Sequence, residues 1–99
     1  MLSAIAKEVA RLKEQPRWGH FEPSPSGVEL EGIEFRKLDF GLAKMRGANA
    51  QWRLMYFLRL EDNGIFLFWV YSHAQYPKRP SAQELALEIR NGVAEIWKS

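Results

Sequence analysis

Positively charged side chains are concentrated in one part of this 99-residue sequence, although its net charge at pH 7 is only +2. Residues 41–60 contain no acidic residue and four basic ones: Lys44, Arg46, Arg53 and Arg59. Aromatic residues lie among them. Because cations contact the phosphates of nucleic acids and aromatic rings stack on the bases, this composition suits contact with RNA.

A second group of polar residues follows the next apolar run. Four side chains that could bind phosphate or move a proton come after it: His73, Tyr76, Lys78 and Arg79. An antiparallel hairpin turning at 62–64 would bring the start of its first strand beside the end of its second, so we expect Arg53 near His73. Arg36 and Lys37, from a third strand, would add two cations. The pattern indicates a cationic site at one end of a sheet.

Each of these side chains also has a simpler interpretation. An arginine on a strand face is usually solvated, and a histidine at a strand end usually makes a surface hydrogen bond. The Lys78-Arg79 pair in a proline-flanked loop is typical of an ordinary surface loop. Tryptophans are more often core or interface residues than stacking platforms. The residues by themselves leave an RNA site and a plain solvated surface as alternatives.

Metal and cofactor sites are not expected. The chain has no cysteine, which excludes disulfides and thiolate ligands. The two histidines, His20 and His73, lack carboxylates at the spacing of metal ligands. Phosphate-loop, dinucleotide-binding and zinc-protease motifs do not occur in the sequence.

Helical signals appear at both ends of the chain. Apolar residues at three-and-four spacing predict a helix over residues 2–14, which Pro16 ends. A proline- and glycine-rich connector follows over 16–32. Ser81 and Glu84 form a capping box that begins a second helix. The predicted apolar face of that helix comprises Leu85, Ile89, Val93 and Ile96.

The first predicted strand covers residues 33–40 and alternates imperfectly. Ile33 and Phe35 share one phase, whereas Leu38 and Phe40 share the other. A bulge or an early helical turn would explain the change of phase. Residues 41–50 are small and basic, and they predict a loop.

The strongest turn signal is Asn63-Gly64, between two runs rich in aromatic and aliphatic residues. It predicts a hairpin of strands 51–60 and 65–72. The second run is apolar on both faces, which predicts a central strand. The charged residues of the hairpin interrupt any window long enough to cross a membrane.

The order of elements predicts an α+β fold in which one small antiparallel sheet packs against helices. The length predicts a single domain over residues 1–99. The first residues lack the apolar run and cleavage pattern of a signal peptide, so a cytoplasmic protein is expected.

Four local patterns together resemble the RelE/ParE toxin superfamily, especially its HigB-like, phage-derived branch. RLKEQPRWG (11–19) is similar to the end of that family's second helix and its proline-containing connector. EFRKLDF (34–40) resembles its "L-R-E-L-R-F" strand, and QWRLMYFL (51–58) resembles its "Y-R-L-I-Y" strand. IFLFWVYSHAQYPKRPSAQEL (65–85) resembles the "I-Y-L-L-x-x-Y-x-K-x-x-K" strand and loop before the last helix. The order of the four matches the family, and the chain would begin at its second helix.

The resemblance implies a small curved antiparallel sheet packed against an N-terminal helix, with a C-terminal helix. It also implies a toxin that cleaves ribosome-bound mRNA, in which a ribose 2′-OH attacks the adjacent phosphodiester without a metal. Such a reaction needs a base, an acid and cations that stabilise the phosphorane. The partners implied are the ribosome-bound mRNA and a cognate antitoxin, with a homodimer or a toxin–antitoxin complex as the assembly.

The resemblance also suggests roles for individual residues. Arg53 would bind the phosphate and stabilise the transition state, and either His73 or Tyr76 would act as acid or base. Arg79 would belong to the catalytic group. The auxiliary RNA-binding cations would be Arg36, Lys37, Lys44, Arg46 and Lys78. Two other functions stay open. The first is an inactive toxin fold that binds an antitoxin, a gyrase-like target or another phage or host factor. The second is an RNA-binding protein that does not cleave RNA.

Overall fold

The computed structural model describes residues 2–23, 30–42, 45–47, 50–76 and 79–98. Its elements in chain order are α1 (Leu2–Glu14), β1 (His20–Phe21), β2 (Ile33–Gly41), β3 (Gln51–Arg59), β4 (Gly64–Ser72) and α2 (Ala82–Lys98). The predicted α+β fold is confirmed, with an antiparallel sheet between an N-terminal and a C-terminal helix. None of the helices in the described part of the chain is both long and apolar enough to cross a membrane.

The sheet has the order β1-β2-β3-β4, and each neighbouring pair is antiparallel. Strands β2 and β3 pair without interruption, from Ile33 opposite Arg59 to Gly41 opposite Gln51. Side chains alternate between the two faces of a strand, so the odd-numbered residues of β2 and β3 share one face. This uninterrupted register decides which charged residues meet.

The imperfect alternation of β2 comes neither from a bulge in β2 nor from a helical turn. Ile33 and Phe35 belong to an apolar cluster that α2 covers, whereas Leu38 and Phe40 belong to one that α1 covers. Because both faces of the sheet are covered, one regular strand buries residues of either phase. The register shift instead falls between β3 and β4, where Phe68 is an extra residue of β4.

Strand β4 lies at an edge of the described sheet, so the prediction of a central strand was wrong. Strand β3 has a neighbour on each side and is the more buried of the two. The apolar side chains on both faces of β4 pack into the two clusters, while Leu67 is 48% exposed. Apolar residues on both faces therefore reflect two covered faces, not two neighbouring strands.

Two apolar clusters lie on opposite faces of the sheet. The buried residues of the α2-side cluster are Ile33, Phe35, Met55, Phe57, Tyr71, Leu85, Ile89 and Ile96. Those of the α1-side cluster are Leu12, Leu38, Phe40, Leu54, Tyr56 and Leu58. The predicted apolar face of α2 is confirmed, with Val93 partly buried at its edge.

Two local predictions are confirmed at the level of single hydrogen bonds and angles. The Ser81 hydroxyl accepts from the Glu84 amide at 3.3 Å, and the Glu84 carboxylate accepts from the Ser81 amide at 3.2 Å. Asn63 has a φ of 54°, in the left-handed region that the hairpin turn requires. Gly64 already begins β4, opposite Arg59.

Candidate functional site

The sheet face that α2 covers is apolar at one end and polar at the other. Along β2 and β3 the apolar pair Phe35 and Phe57 gives way, on the same face, to Lys37, Asp39 and Arg53. Strand β4 and the residue after it add two more polar side chains. We call this group the polar end; its members are Lys37, Asp39, Arg53, Tyr71 and His73.

Asp39 and Arg53 form the centre of the polar end. They lie directly opposite each other in the β2–β3 register, and Arg53 Nε donates to Asp39 Oδ1 at 2.8 Å. Burial by itself would raise the pKa of Asp39, but the hydrogen bond and positive charge of Arg53 outweigh it and hold the pKa below its usual value. The carboxylate therefore stays ionised and keeps its contact with the guanidinium at neutral pH.

His73 lies beside this ion pair, as the hairpin geometry predicted. The His73 amide continues the ladder by donating to the Gln51 carbonyl at 2.9 Å, and its Nε2 lies 3.9 Å from Asp39 Oδ1. Asp39 and His73 both line a cleft of about 360 Å³, along with Gly41, Gln51 and two aromatic residues. A substrate in this cleft would therefore reach both the imidazole and the carboxylate.

Tyr71 lies opposite Arg53 on β4 and is almost completely buried. Burial raises the pKa of its hydroxyl, and the nearby Arg53 opposes that increase. The hydroxyl makes no well-formed hydrogen bond to any residue that the structure describes, and neither does His73 Nε2. Two buried polar atoms without a well-formed hydrogen bond to the described residues thus adjoin the Asp39–Arg53 pair, and the Arg53 guanidinium lies near one of them, the Tyr71 hydroxyl.

A second carboxylate, Glu22, adjoins the polar end. It accepts from Lys37 Nζ at 2.9 Å and from Arg79 Nη1 at 2.6 Å, and it is almost fully buried. Burial by itself would raise the pKa of Glu22, but the hydrogen bonds from Lys37 and Arg79 outweigh it and lower the pKa. Glu22 therefore fixes two of the predicted site cations in place.

Arg36 lies on the opposite face of the sheet from Arg53, although it is adjacent to Lys37 in the sequence. Its guanidinium donates to the Gly19 carbonyl at 2.8 Å and to Glu34 Oε1 at 2.8 Å. A shift of one residue along a strand moves a side chain to the other face. Arg36 thus anchors the segment between α1 and β1, and it is not brought together with the polar end.

Two other predicted residues, Tyr76 and Arg46, are not members of the polar end. The Tyr76 ring packs at 5.4 Å from the Tyr71 ring and 5.8 Å from the Trp69 ring, as part of the α2-side cluster. Arg46 is exposed in the segment between β2 and β3. Lys44 and Lys78 lie outside the described residues.

Sequence reasoning missed three members of this neighbourhood: Glu22, Asp39 and Tyr71. Asp39 could have been found, because it is two residues after Lys37 on one predicted strand and must share its face. Tyr71 follows from pairing the two hairpin strands. No sequence signal marks Glu22, since it follows β1, a strand of only two residues in the connector.

The charge of this neighbourhood is nearly balanced. Lys37, Arg53 and Arg79 carry three positive charges and face two carboxylates, which leaves an excess of one. Such a site can bind one oxyanion and offers an imidazole next to it for proton transfer. No group of three His, Asp or Glu side chains among the described residues is placed to hold a metal ion.

The comparisons with known proteins add no assignment to this geometry. No family model, curated protein or solved structure matches the chain. Functional inference therefore depends on the residues and contacts of the polar end.

Proposed function

We propose that this protein is a RelE/ParE-type toxin of the HigB-like branch that cleaves ribosome-bound mRNA in the cytoplasm. The observation that carries the proposal is the convergence of Arg53, His73 and Lys37 on one sheet face, where His73 and the Asp39 partner of Arg53 line a cleft. The order of the four sequence patterns supports the same class. A cognate antitoxin would neutralise the protein by binding it.

The proposed reaction needs only side chains of the polar end. The ribose 2′-oxygen attacks the adjacent phosphorus while a base removes its proton, and the bond from phosphorus to the 5′-oxygen breaks. Arg53 would stabilise the negative charge of the phosphorane, with Lys37 contributing from the neighbouring strand. An acid then protonates the departing 5′-oxygen, so the products are a 2′,3′-cyclic phosphate and a 5′-hydroxyl. His73 is the better candidate for proton transfer because it lines the cleft with Asp39, whereas Tyr76 packs in the α2-side cluster.

The test is expression of the protein and of two arginine variants in bacteria. We expect the wild type to arrest growth and Arg53→Ala to relieve the arrest. Arg90→Ala is the matched control, because Arg90 is exposed on α2. We expect the Arg90→Ala variant to arrest growth as the wild type does. Cleavage sites on mRNA would be mapped by primer extension, and circular dichroism would check folding. Absence of toxicity, together with no cleavage on stalled ribosomes, would rule out the proposal; salt-dependent RNA binding without product would indicate a non-cleaving RNA-binding protein.

A second function is favoured by the pairing of cations with carboxylates. Lys37, Arg53 and Arg79 each contact Glu22 or Asp39, which lowers their capacity to attract RNA. An inactive toxin fold that binds an antitoxin, a gyrase-like target or another phage or host factor would tolerate this pairing. Exposed apolar residues such as Leu67 would then mediate binding. Binding of a co-expressed partner that Leu67→Asp abolishes and Arg53→Ala leaves unchanged would support this function over cleavage.

A further inference from the structure

Two buried polar atoms at the polar end, the Tyr71 hydroxyl and His73 Nε2, make no hydrogen bond of good geometry to a described residue, although the Arg53 guanidinium lies near the Tyr71 hydroxyl. Tyr71 is only 1% exposed, so bulk water does not satisfy its hydroxyl. Buried polar groups in folded proteins are nearly always bonded, and an exception indicates a bound water, ion or ligand. Both atoms lie around the same Asp39–Arg53 pair.

Asp39 stands out in this group because its side chain is 58% exposed, whereas that of Arg53 is only 18% exposed. The carboxylate is thus accessible to solvent, whereas the Arg53 side chain that it contacts is mostly buried. An arginine guanidinium offers the same N–H geometry to a carboxylate as to a phosphate. Asp39 therefore provides the kind of oxygen ligand that a phosphate group would bring.

We propose that Arg53, Tyr71 and His73 form a binding site for a single phosphate group, and that Asp39 occupies this site in the free protein as an internal competitor. A phosphodiester of RNA would displace the Asp39 carboxylate and accept hydrogen bonds from the Arg53 guanidinium and the Tyr71 hydroxyl. The identity of the ligand as RNA rests on the proposed function. Neither the competitor role of Asp39 nor the donor role of Tyr71 follows from that function.

The exposure of Asp39 makes the displacement easy. Ion pairs with an exposed partner are weak, because water screens the attraction and the side chain loses freedom in the contact. Asp39 also repels an incoming phosphate by its charge. Removing that charge should therefore strengthen phosphate binding by about fivefold, the factor that corresponds to about 1 kcal/mol.

The chain offers a matched control for this effect. Asp62 also pairs with an arginine of β3, since its Oδ2 accepts from Arg59 Nη2 at 2.7 Å, and its side chain is 48% exposed. Arg59 lies at the hairpin-turn end of β3, eight strand positions from Gln51 and six from Arg53. Asp62→Asn changes the net charge by the same amount as Asp39→Asn, but it does so away from the polar end.

The experiment measures binding of a fluorescent single-stranded RNA whose riboses carry 2′-O-methyl groups, so that it cannot be cleaved. Anisotropy titrations would compare the full-length wild type with Asp39→Asn and Asp39→Ser. Both variants should bind about fivefold more tightly. Asp62→Asn should bind as the wild type does, Tyr71→Phe should bind more weakly, and Asp39→Asn combined with Arg53→Ala should lose the gain. Thermal melting would confirm that each variant is folded.

Unchanged or weaker binding by both Asp39 variants overturns the inference, as does an equal gain from Asp62→Asn. A gain that survives in the Arg53→Ala background also overturns it, because the competitor would then act on another site. The assay needs no catalysis, so the two proposals fail separately. Tighter RNA binding by Asp39→Asn without cleavage on ribosomes would support the phosphate site and contradict the proposed nuclease activity. Cleavage on ribosomes without any effect of Asp39→Asn on RNA binding would support the nuclease activity and contradict the phosphate site.

Discussion

Glu22 and Arg79 are 57 residues apart in the sequence, yet Arg79 Nη1 donates to Glu22 Oε1 at 2.6 Å. The other oxygen of Glu22 accepts from Lys37 at 2.9 Å, and Arg79 also donates to the Pro23 carbonyl at 3.0 Å. One buried carboxylate therefore joins the segment after β1, the middle of β2 and the segment that leads into α2. The same contacts hold two candidate site cations.

We expect Glu22→Gln to lower the free energy of unfolding at pH 7 by about 1–3 kcal/mol, because the two cations lose a charged acceptor. Urea denaturation would measure the change. Glu31→Gln removes the same charge from an exposed position and should have almost no effect. Equal stability of the two variants would contradict a structural role for the Glu22 contacts.

The pKa of Glu22 also determines how stability varies with pH. The folded state holds this pKa below its ordinary value of 4.5, so the contribution to stability is complete above pH 4.5. The contribution should disappear as the pH falls below 4.5 through the folded-state pKa. Urea midpoints measured from pH 7 to pH 3 should therefore fall less steeply for Glu22→Gln than for the wild type. Parallel curves for the two proteins would show that Glu22 titrates normally.

The Tyr56 hydroxyl connects the centre of the sheet to the segment after α1. It accepts from the Gly19 amide at 3.1 Å and donates to the Pro16 carbonyl at 2.9 Å. Tyr56→Phe leaves both backbone groups without this partner, and we expect a loss of about 1–3 kcal/mol in the free energy of unfolding. Tyr76→Phe is the matched control in urea denaturation, since its hydroxyl makes no such bond within the described residues. A difference of less than about 0.5 kcal/mol between the free energies of unfolding of the two variants is about the effect of an ordinary surface substitution. Such a result would exclude a stabilising role for the Tyr56 hydroxyl.

The backbone of Asn63 supports the hairpin turn. Its φ of 54° lies in the left-handed region, where a Cβ atom is costly and asparagine is better tolerated than most residues. Asn63→Ala should lower the free energy of unfolding by about 1 kcal/mol, whereas Asn63→Gly should match or exceed the wild type. Thermal melting of both variants checks the order. A more stable alanine variant would show that the turn does not need this conformation.

Local sequence signals predicted several parts of the fold correctly. The helical spacing with Pro16 predicted α1, and the Ser81–Glu84 box predicted the start of α2, because each signal lies within a few residues of the structure it determines. The hairpin signal predicted that Arg53 and His73 approach each other. Pairing between neighbouring strands made that prediction possible.

Long-range relationships could not be predicted in the same way. A sequence that is apolar on both faces of a strand, as in β4, fits a central strand and also an edge strand that lies between two helices. Only the strand order distinguishes the two. Arg36 and Lys37 are equally basic, and only the register places one on each face. Glu22 reaches the polar end because the segment after β1 continues its pairing with β2, where the Glu22 amide donates to the Phe35 carbonyl at 2.8 Å. The sequence therefore did not predict the ion pairs that the site cations make with Glu22 and Asp39.

His73 and Tyr76 were the two candidates for the acid or base, and the structure places them differently. His73 Nε2 lies 3.9 Å from Asp39 beside the cleft, whereas the Tyr76 ring packs against Tyr71 and Trp69. If the protein cleaves RNA, His73→Gln should lower kcat by about 10²–10⁴-fold, because general acid–base catalysis contributes that much.

Tyr76→Phe should keep its cleavage rate within a few-fold of the wild type, since it preserves the ring that packs in the α2-side cluster. Single-turnover cleavage on stalled ribosomes would measure both variants, and a 2′,3′-cyclic phosphate end would confirm the chemistry. Loss of activity in Tyr76→Phe with full activity in His73→Gln would exchange the roles of the two residues. His73, whose Nε2 lies 3.9 Å from the Asp39 carboxylate that Arg53 contacts, would then act only in binding the phosphate.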